Sequence, residues 1–378
     1  MTHRLAALED LDLESLHHQS FIETRDASPA QLAALTGLAE MFEALDARGR
    51  VPHLLEGQLA YALFFDMSTR TRSAWAGAAA RLGMAPVIVD GGSTQVEHGE
   101  TAEETGAMLG MNAHALGVRH DKFLGEGNPF IRSIHKGITD YLAATNDTRA
   151  VPVVNLQCDV DHPTQALADL LWLRERFGEL RGKRVTVSWA YSPSYAKPLS
   201  VPQGLITLLP RFGVDVTLAH PPGYELMPET LAHAQEGATS GGGSFTLSDD
   251  MTAAFANADA VYPKSWGPMA LMQERVVARQ AGDQAGLRDI EQRALAQNAQ
   301  HRDWICNAER MAKTRNGEAL YMHCLPADLG DEVEREVYDR YRTEVARQAN
   351  KKVYAIMALL AGAKVNGLSE RLLDGART

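Results

Sequence analysis

Residues 64–75 read FFDMSTRTRSAW. An apolar run, LAYALFF at 59–65, leads into this stretch, and an alanine-rich one, AWAGAAARLG at 74–83, follows it. The pattern is that of a strand, a short turn and an amphipathic helix. The turn is filled with hydroxyl and guanidinium groups, from Ser68, Thr69, Arg70, Thr71 and Arg72. A helix N-terminus presents unpaired backbone N–H groups and the positive end of the helix dipole, so this turn suits an anion. Phosphate fits well, because its oxygens accept from successive hydroxyls and amides while Arg70 offers a planar donor fork. A lone serine or threonine here would read as a helix cap and nothing more. The tandem of hydroxyl, arginine, hydroxyl and arginine is what favours a ligand.

Short apolar runs alternate with longer amphipathic ones along all 378 residues. This predicts an α/β fold with mainly parallel sheets, doubly wound by helices. Strands are expected at 59–65, 86–90, 115–119 and 152–156, and again at 184–189, 214–219, 260–262 and 319–323. Helices are expected at 29–48, 72–82, 163–177 and 251–256, the first with Ser28 as its cap and Pro29 in its first turn. The chain exceeds one ordinary domain of roughly 100 to 200 residues, so two are expected. The boundary is placed near residue 150, giving domains 1–150 and 151–341, with a C-terminal helix over 342–378 packing back on the first.

Composition limits the partners. Acidic residues outnumber basic ones 48 to 37, a net charge of -11, which leaves no broad basic face for nucleic acid or an anionic membrane. Any anion site must be local. Cys158, Cys306 and Cys324 have no CxxC spacing, so neither a disulfide framework nor a metal site is expected. The opening MTHRLAALEDLDLESLHHQ lacks the apolar core of a signal peptide, and no apolar run of about 18 residues occurs, so a cytoplasmic protein is expected. No GxGxxG or P-loop pattern follows a strand, and no organic cofactor is expected.

Three further fragments carry chemistry: GVRH at 117–120, DHPTQALAD at 161–169 and HCLPA at 323–327. In the second, Asp161 reads as a helix cap and Pro163 as a first-turn residue, which puts His162 and Gln165 three apart on one face. One imidazole and one amide at that spacing suit a planar carbonyl with its NH2. HCLPA follows a strand and lies at its carboxyl end, where open α/β sheets bind ligands. His323 and Cys324 are neighbours on that strand and point to opposite faces, which argues against a Cys–His nucleophile pair.

STRTR, the arginine of GVRH, HPTQ and HCLP, in this order, resemble the aspartate and ornithine carbamoyltransferase superfamily. The resemblance spans nearly the whole chain. It implies a first domain that binds carbamoyl phosphate, a second that binds an amino- or ureido-acid acceptor, and a homotrimer, with a dimer of trimers as a further possibility. Carried onto this chain, Ser68, Thr69, Arg70 and Thr71 would hold the phosphate, and Arg119, His162 and Gln165 the carbamoyl group. Cys324 and Leu325 would accept its NH2. Thr71, Arg119, His162 and Cys324 are the implied catalytic set. Gln95 and His98, in GGSTQVEHGE, match a loop that such enzymes extend into a neighbouring subunit's site. The implied reaction moves a carbamoyl group between carbamoyl phosphate and a nitrogen, in synthesis or in phosphorolysis. A catalytically weak relative kept as a small-molecule sensor is the alternative.

The chain also departs from the ornithine enzymes. Where they carry a Ser-Met-Gly motif, it reads ADAVYPKSWGPM at 258–269. Lys264, Ser265 and Trp266, with Asn155, Lys351 and Lys352, are therefore candidates for the second-substrate pocket, and Lys264 disfavours a distal ammonium. SWAYSPSYAKPLSVPQG at 188–204 resembles the proline-rich loop of the knotted transcarbamylases, so a loop at 190–202 standing away from the sheet and a trefoil knot in the second domain are expected. Together with YPKSW and LYMHCLPAD, it resembles the YgeW-type branch, whose substrate the motifs do not assign.

Overall fold

The computed structural model describes residues 10–377. Contacts divide the chain into one unit of Met1–Leu171 with Asn350–Thr378 and another of Trp172–Ala349.

The first unit holds a parallel sheet of β1 (Leu59–Phe64), β2 (Ala85–Asp90), β3 (Ala115–His120) and β4 (Val153–Cys158), in the order β2-β1-β3-β4. Its helices are α1 (Pro29–Asp46), α2 (Arg70–Arg81), α3 (Ala102–Asn112), α4 (Gly127–Ala144) and the start of α5 (Pro163–Phe177). Ser28 and Gln31 form a reciprocal capping box on α1, with Pro29 in its first turn, as their order in the sequence predicts. Leu116, Val118, Ile131, Ile134 and Val153 form the core between sheet and helices. On α3 and α4, a Cβ on Gly106 would come within 2.3 Å of the Ile134 carbonyl, and one on Gly137 within 2.1 Å of the Glu103 carbonyl. Only glycine allows these two helices to pack backbone to backbone.

Register aligns the site. Phe64 at the end of β1 lies beside Arg119 of β3, so the 68–71 turn and Arg119 leave the sheet at the same edge. A bulge between Val118 and Arg119 interrupts the pairing of β3 with β4 and re-aims the arginine. The expected boundary near 150 is corrected. β4 is the fourth strand of the first sheet, and the division falls between Leu171 and Trp172, inside α5. The 145–151 segment is only the connection from α4 to a fully buried strand.

The second unit holds β5 (Arg184–Ser188), β6 (Asp215–Ala219), β7 (Ser244–Ser248), β8 (Ala260–Pro263) and β9 (Leu320–Tyr321), all parallel, in the order β7-β6-β5-β8-β9. Its helices are α6 (Ser200–Leu208), α7 (Pro228–Gly241), α8 (Met251–Phe255), α9 (Met269–Gln280), α10 (Gln284–Asn298) and α11 (Ala308–Met311). The long α12 (Arg335–Lys364) begins in this unit and finishes in the first, which α13 (Leu368–Arg377) closes. β7 was not expected, because SFTLS at this sheet edge is largely exposed and has no apolar run. β9 is shorter than its expected 319–323, since its partner β8 ends at Pro263.

The proline-rich loop runs over 189–199, not to 202, because α6 begins at Ser200 and takes Pro202 into its first turn. Nor does it stand free. The Ala190 N–H donates to Lys264 O at 3.2 Å, the Gly267 N–H to Lys197 O at 3.0 Å, and the Trp189 indole to Trp266 O at 2.9 Å. Among the described residues no helix is long and apolar enough to cross a membrane.

Candidate active site

In the first unit the N-terminus of α2 presents the 68–71 turn. Ser68 Oγ accepts from the Thr71 N–H at 3.2 Å, so this serine does cap the helix, as the simpler reading holds. Thr71 is buried, and its Oγ1 accepts from Lys352 Nζ at 3.2 Å. The same ammonium lies 3.2 Å from His162 Nε2. Lys352 comes from α12 and belongs here, against Thr71 and His162. Sequence spacing does not reveal this contact, because 281 positions separate Lys352 from Thr71. Lys351, its neighbour, instead pairs with Glu43.

His162 stands at the start of α5, where its carbonyl accepts from the Ala166 N–H at 3.0 Å. That places His162, not Asp161, at the cap position. The Asp161 carboxylate turns away to accept from the Thr24 N–H at 2.6 Å. Burial first, then the charges of Lys352, Arg119 and Arg70, hold His162 well below the usual imidazole range. The ring is neutral, and three cations surround it. Gln165 donates its NH2 to Asp169 Oδ1 at 2.8 Å, which leaves its carbonyl oxygen free to accept an amide NH2. Asp169 was missed, although its place one helical turn after Gln165 in DHPTQALAD is a readable signal.

Arg119 donates from Nε and Nη2 to the two oxygens of Asp121, both at 2.9 Å. Burial pushes the Asp121 carboxyl up to about 7, with Arg119 opposing and Asp66 adding to the rise. Gln95 and His98 lie on an exposed turn, and neither side chain makes a hydrogen bond among the described residues. Asn155 is fully buried on β4, and its NH2 donates to Ile22 O at 2.7 Å and Cys158 Sγ at 3.1 Å, fastening the turn into α5.

In the second unit β8 delivers Lys264, Ser265 and Trp266, and β9 delivers the 323–326 segment. Lys264 is 7% exposed and donates to Ser265 O at 2.5 Å. Burial lowers its proton affinity, with Lys197 adding, and among the described residues it forms no ion pair. Such an ammonium has donors to offer an anion. The Ser265 hydroxyl is buried without a partner. Trp266 is 1% exposed, and its indole donates to Tyr224 O at 2.9 Å.

Glu332, which sequence reasoning missed, organises this region. It accepts from the Ser265 N–H at 2.7 Å, the Asp328 N–H at 2.8 Å and Lys197 Nζ at 3.0 Å, and faces His323 Nε2 at 3.4 Å. Burial works against its charge, but His323, Lys197 and Lys264 hold it well below the usual carboxylate range. His323 Nδ1 accepts from the Leu325 N–H at 2.8 Å, which fixes the backbone of Leu325 beside Cys324. Cys324 is nearly buried and electrostatically coupled to Lys264.

Residues 19–175 match the model of the aspartate/ornithine carbamoyltransferase carbamoyl-P binding domain, and residues 199–362 that of the Asp/Orn binding domain. YgeW of Escherichia coli (strain K12), provisionally assigned as a carbamoyltransferase, is 45% identical over 374 residues, covering 96% of this chain and 94% of the relative. N-acetylornithine carbamoyltransferase of Xanthomonas campestris pv. campestris (strain ATCC 33913) is 31% identical, covering 92% of this chain and 98% of its own. Among solved structures, acetylornithine transcarbamylase complexed with acetylcitrulline superposes with a TM-score of 0.75 at 27% identity, covering 92% of this chain and 100% of the other.

Proposed function

The chain belongs to the aspartate/ornithine carbamoyltransferase family, and from that premise we propose that Ser68, Thr69, Arg70 and Thr71 hold the phosphate of carbamoyl phosphate while Arg119, His162, Gln165 and Lys352 hold its carbamoyl group. The protein is a carbamoyltransferase. A neutral nitrogen attacks the carbamoyl carbon, the bond to the phosphate oxygen breaks, phosphate leaves with the electron pair, and the nitrogen gives up a proton. Phosphate is a good leaving group, so the enzyme has mainly to orient the reactants and to stabilise charge on the carbonyl and leaving oxygens. The convergence of Lys352 on Thr71 and His162, both at 3.2 Å, carries this assignment. It is tested by adding carbamoyl phosphate, which is expected to raise the melting temperature and to be consumed once an acceptor is present.

For the acceptor, Lys264 favours a carboxylate or ureido group over a distal ammonium, because a buried ammonium attracts an anion and repels a second cation. In a side-by-side screen of amino and ureido acids, carboxylate-rich acceptors are expected to exceed ornithine. Ornithine as the best acceptor would overturn this reading of the YPKSW segment.

The active unit is a trimer in which Gln95 and His98 act across a subunit boundary. Support comes from the apolar sheet edge at β2, where Ile88 is 37% exposed and, among the described residues, no further strand pairs. Mixing inactive His98→Ala subunits with inactive Arg70→Ala subunits should therefore restore part of the activity. No recovery after demonstrated subunit exchange would exclude sharing.

A cytoplasmic setting belongs to the same reading, supported by three buried cysteines that form no disulfide among the described residues. So does the trefoil, supported by the way both arms of the 189–199 loop bond to the 264–267 segment. A backbone that draws straight when pulled from its two ends would dismiss the knot.

A further inference from the structure

The chemistry assigned to Arg119 leaves Asp121 and Asp66 unaccounted for. An arginine and an aspartate two residues apart often form a surface ion pair of little consequence. This pair is different, since the side chains are only 14% and 3% exposed. A buried pair is no efficient stabiliser, because removing both charges from water offsets most of their attraction. A second carboxylate, Asp66, adds charge repulsion to the Asp121 carboxyl. The two acids stand one residue beyond β3 and two beyond β1, and titratable clusters of this kind often mark working sites.

Geometry says what the work is. A guanidinium has two edges that can form a fork, one from Nε and an Nη, the other from both Nη atoms. Asp121 takes the first edge, with Nε and Nη2 each donating at 2.9 Å. That leaves Nη1 and the second hydrogen of Nη2. The bulge at Val118/Arg119 sets the direction of the side chain, and Asp121 removes its freedom to rotate about the last bonds. We propose that Asp121, backed by Asp66, is a positioning residue for the transfer reaction, gripping Arg119 along its Nε edge so that the Nη end is presented to the carbamoyl group. The inference rests on the assignment of Arg119 to the carbamoyl group.

Calorimetric titration with phosphonoacetamide, an isostere of carbamoyl phosphate that cannot transfer, tests both levels. Asp121→Asn keeps the shape and breaks the fork, and is expected to weaken binding about tenfold or more, whereas in an Arg119→Ala background it should change affinity by less than about twofold. Asp121→Glu, which returns a carboxylate, should recover most of the loss, and this rescue also separates the role from a general folding defect. Wild-type affinity in Arg119→Ala would remove the assignment of Arg119 itself. A weakened Arg119→Ala beside an unaffected Asp121→Asn, or an equal Asp121→Asn penalty in both backgrounds, would overturn the positioning role.

Discussion

Carbamoyl phosphate is expected to bind about 2 to 4 kcal/mol more weakly once Arg70 is replaced by alanine. Arg70 opens α2 next to the Ser68 cap, and its charge reaches His162. The substitution removes a charge-assisted donor from a partly desolvated anion while the backbone N–H groups of the turn remain. Those amides are retained by any residue, so the loss measures the guanidinium alone. Calorimetry with the same phosphonate decides it. An unchanged dissociation constant would mean that the STRTR turn only builds the helix start.

His162→Ala should act on a different quantity. The carbonyl oxygen gains charge mainly as the nitrogen attacks, so the imidazole and the Lys352 ammonium beside it matter most in the transition state. Turnover is expected to fall about a hundredfold, the size typical of losing one donor from such a site, because His162 Nε2 accepts from the Lys352 ammonium and holds it in place, with a far smaller change in binding. Buried among cations, His162 titrates well below its ordinary 6.5 and stays neutral through the neutral range. The wild-type pH profile should accordingly show no limb near 6.5 that His162→Ala abolishes. A variant with raised KM and intact kcat would remove His162 from the chemistry.

Much of this site was legible because its parts are local. A strand that ends in alternating hydroxyls and guanidinium groups can be read from twelve residues, and His162 and Gln165 share a helix face by spacing alone. What escaped depends on tertiary closure. Lys352 reaches Thr71 only because α12 returns to the first unit, and its neighbours in sequence, KKVYAIM, look like any amphipathic helix. Asn155 and Trp266 are polar or half-polar side chains in motif-rich stretches, and sequence reasoning gave both to the acceptor. Their burial and their hydrogen bonds to Ile22 O and Tyr224 O emerge only once the chain has folded. Glu332 and Lys197 meet across 135 positions, and nothing in DEVER distinguishes the glutamate that four partners converge on. The missed β7 shows the same limit from the other side, since an exposed edge strand has no apolar alternation to find.

Labelled carbamoyl phosphate should be incubated with the protein and a panel of amino and ureido acids, and both released phosphate and the carbamoylated product followed. Phosphate and a ureido product formed in equal amounts, with a carboxylate-bearing acceptor and with loss of both in Arg70→Ala, is the predicted result. A carbamoyl phosphate that raises the melting temperature yet transfers to no acceptor would contradict the account and make the protein a sensor on a carbamoyltransferase frame.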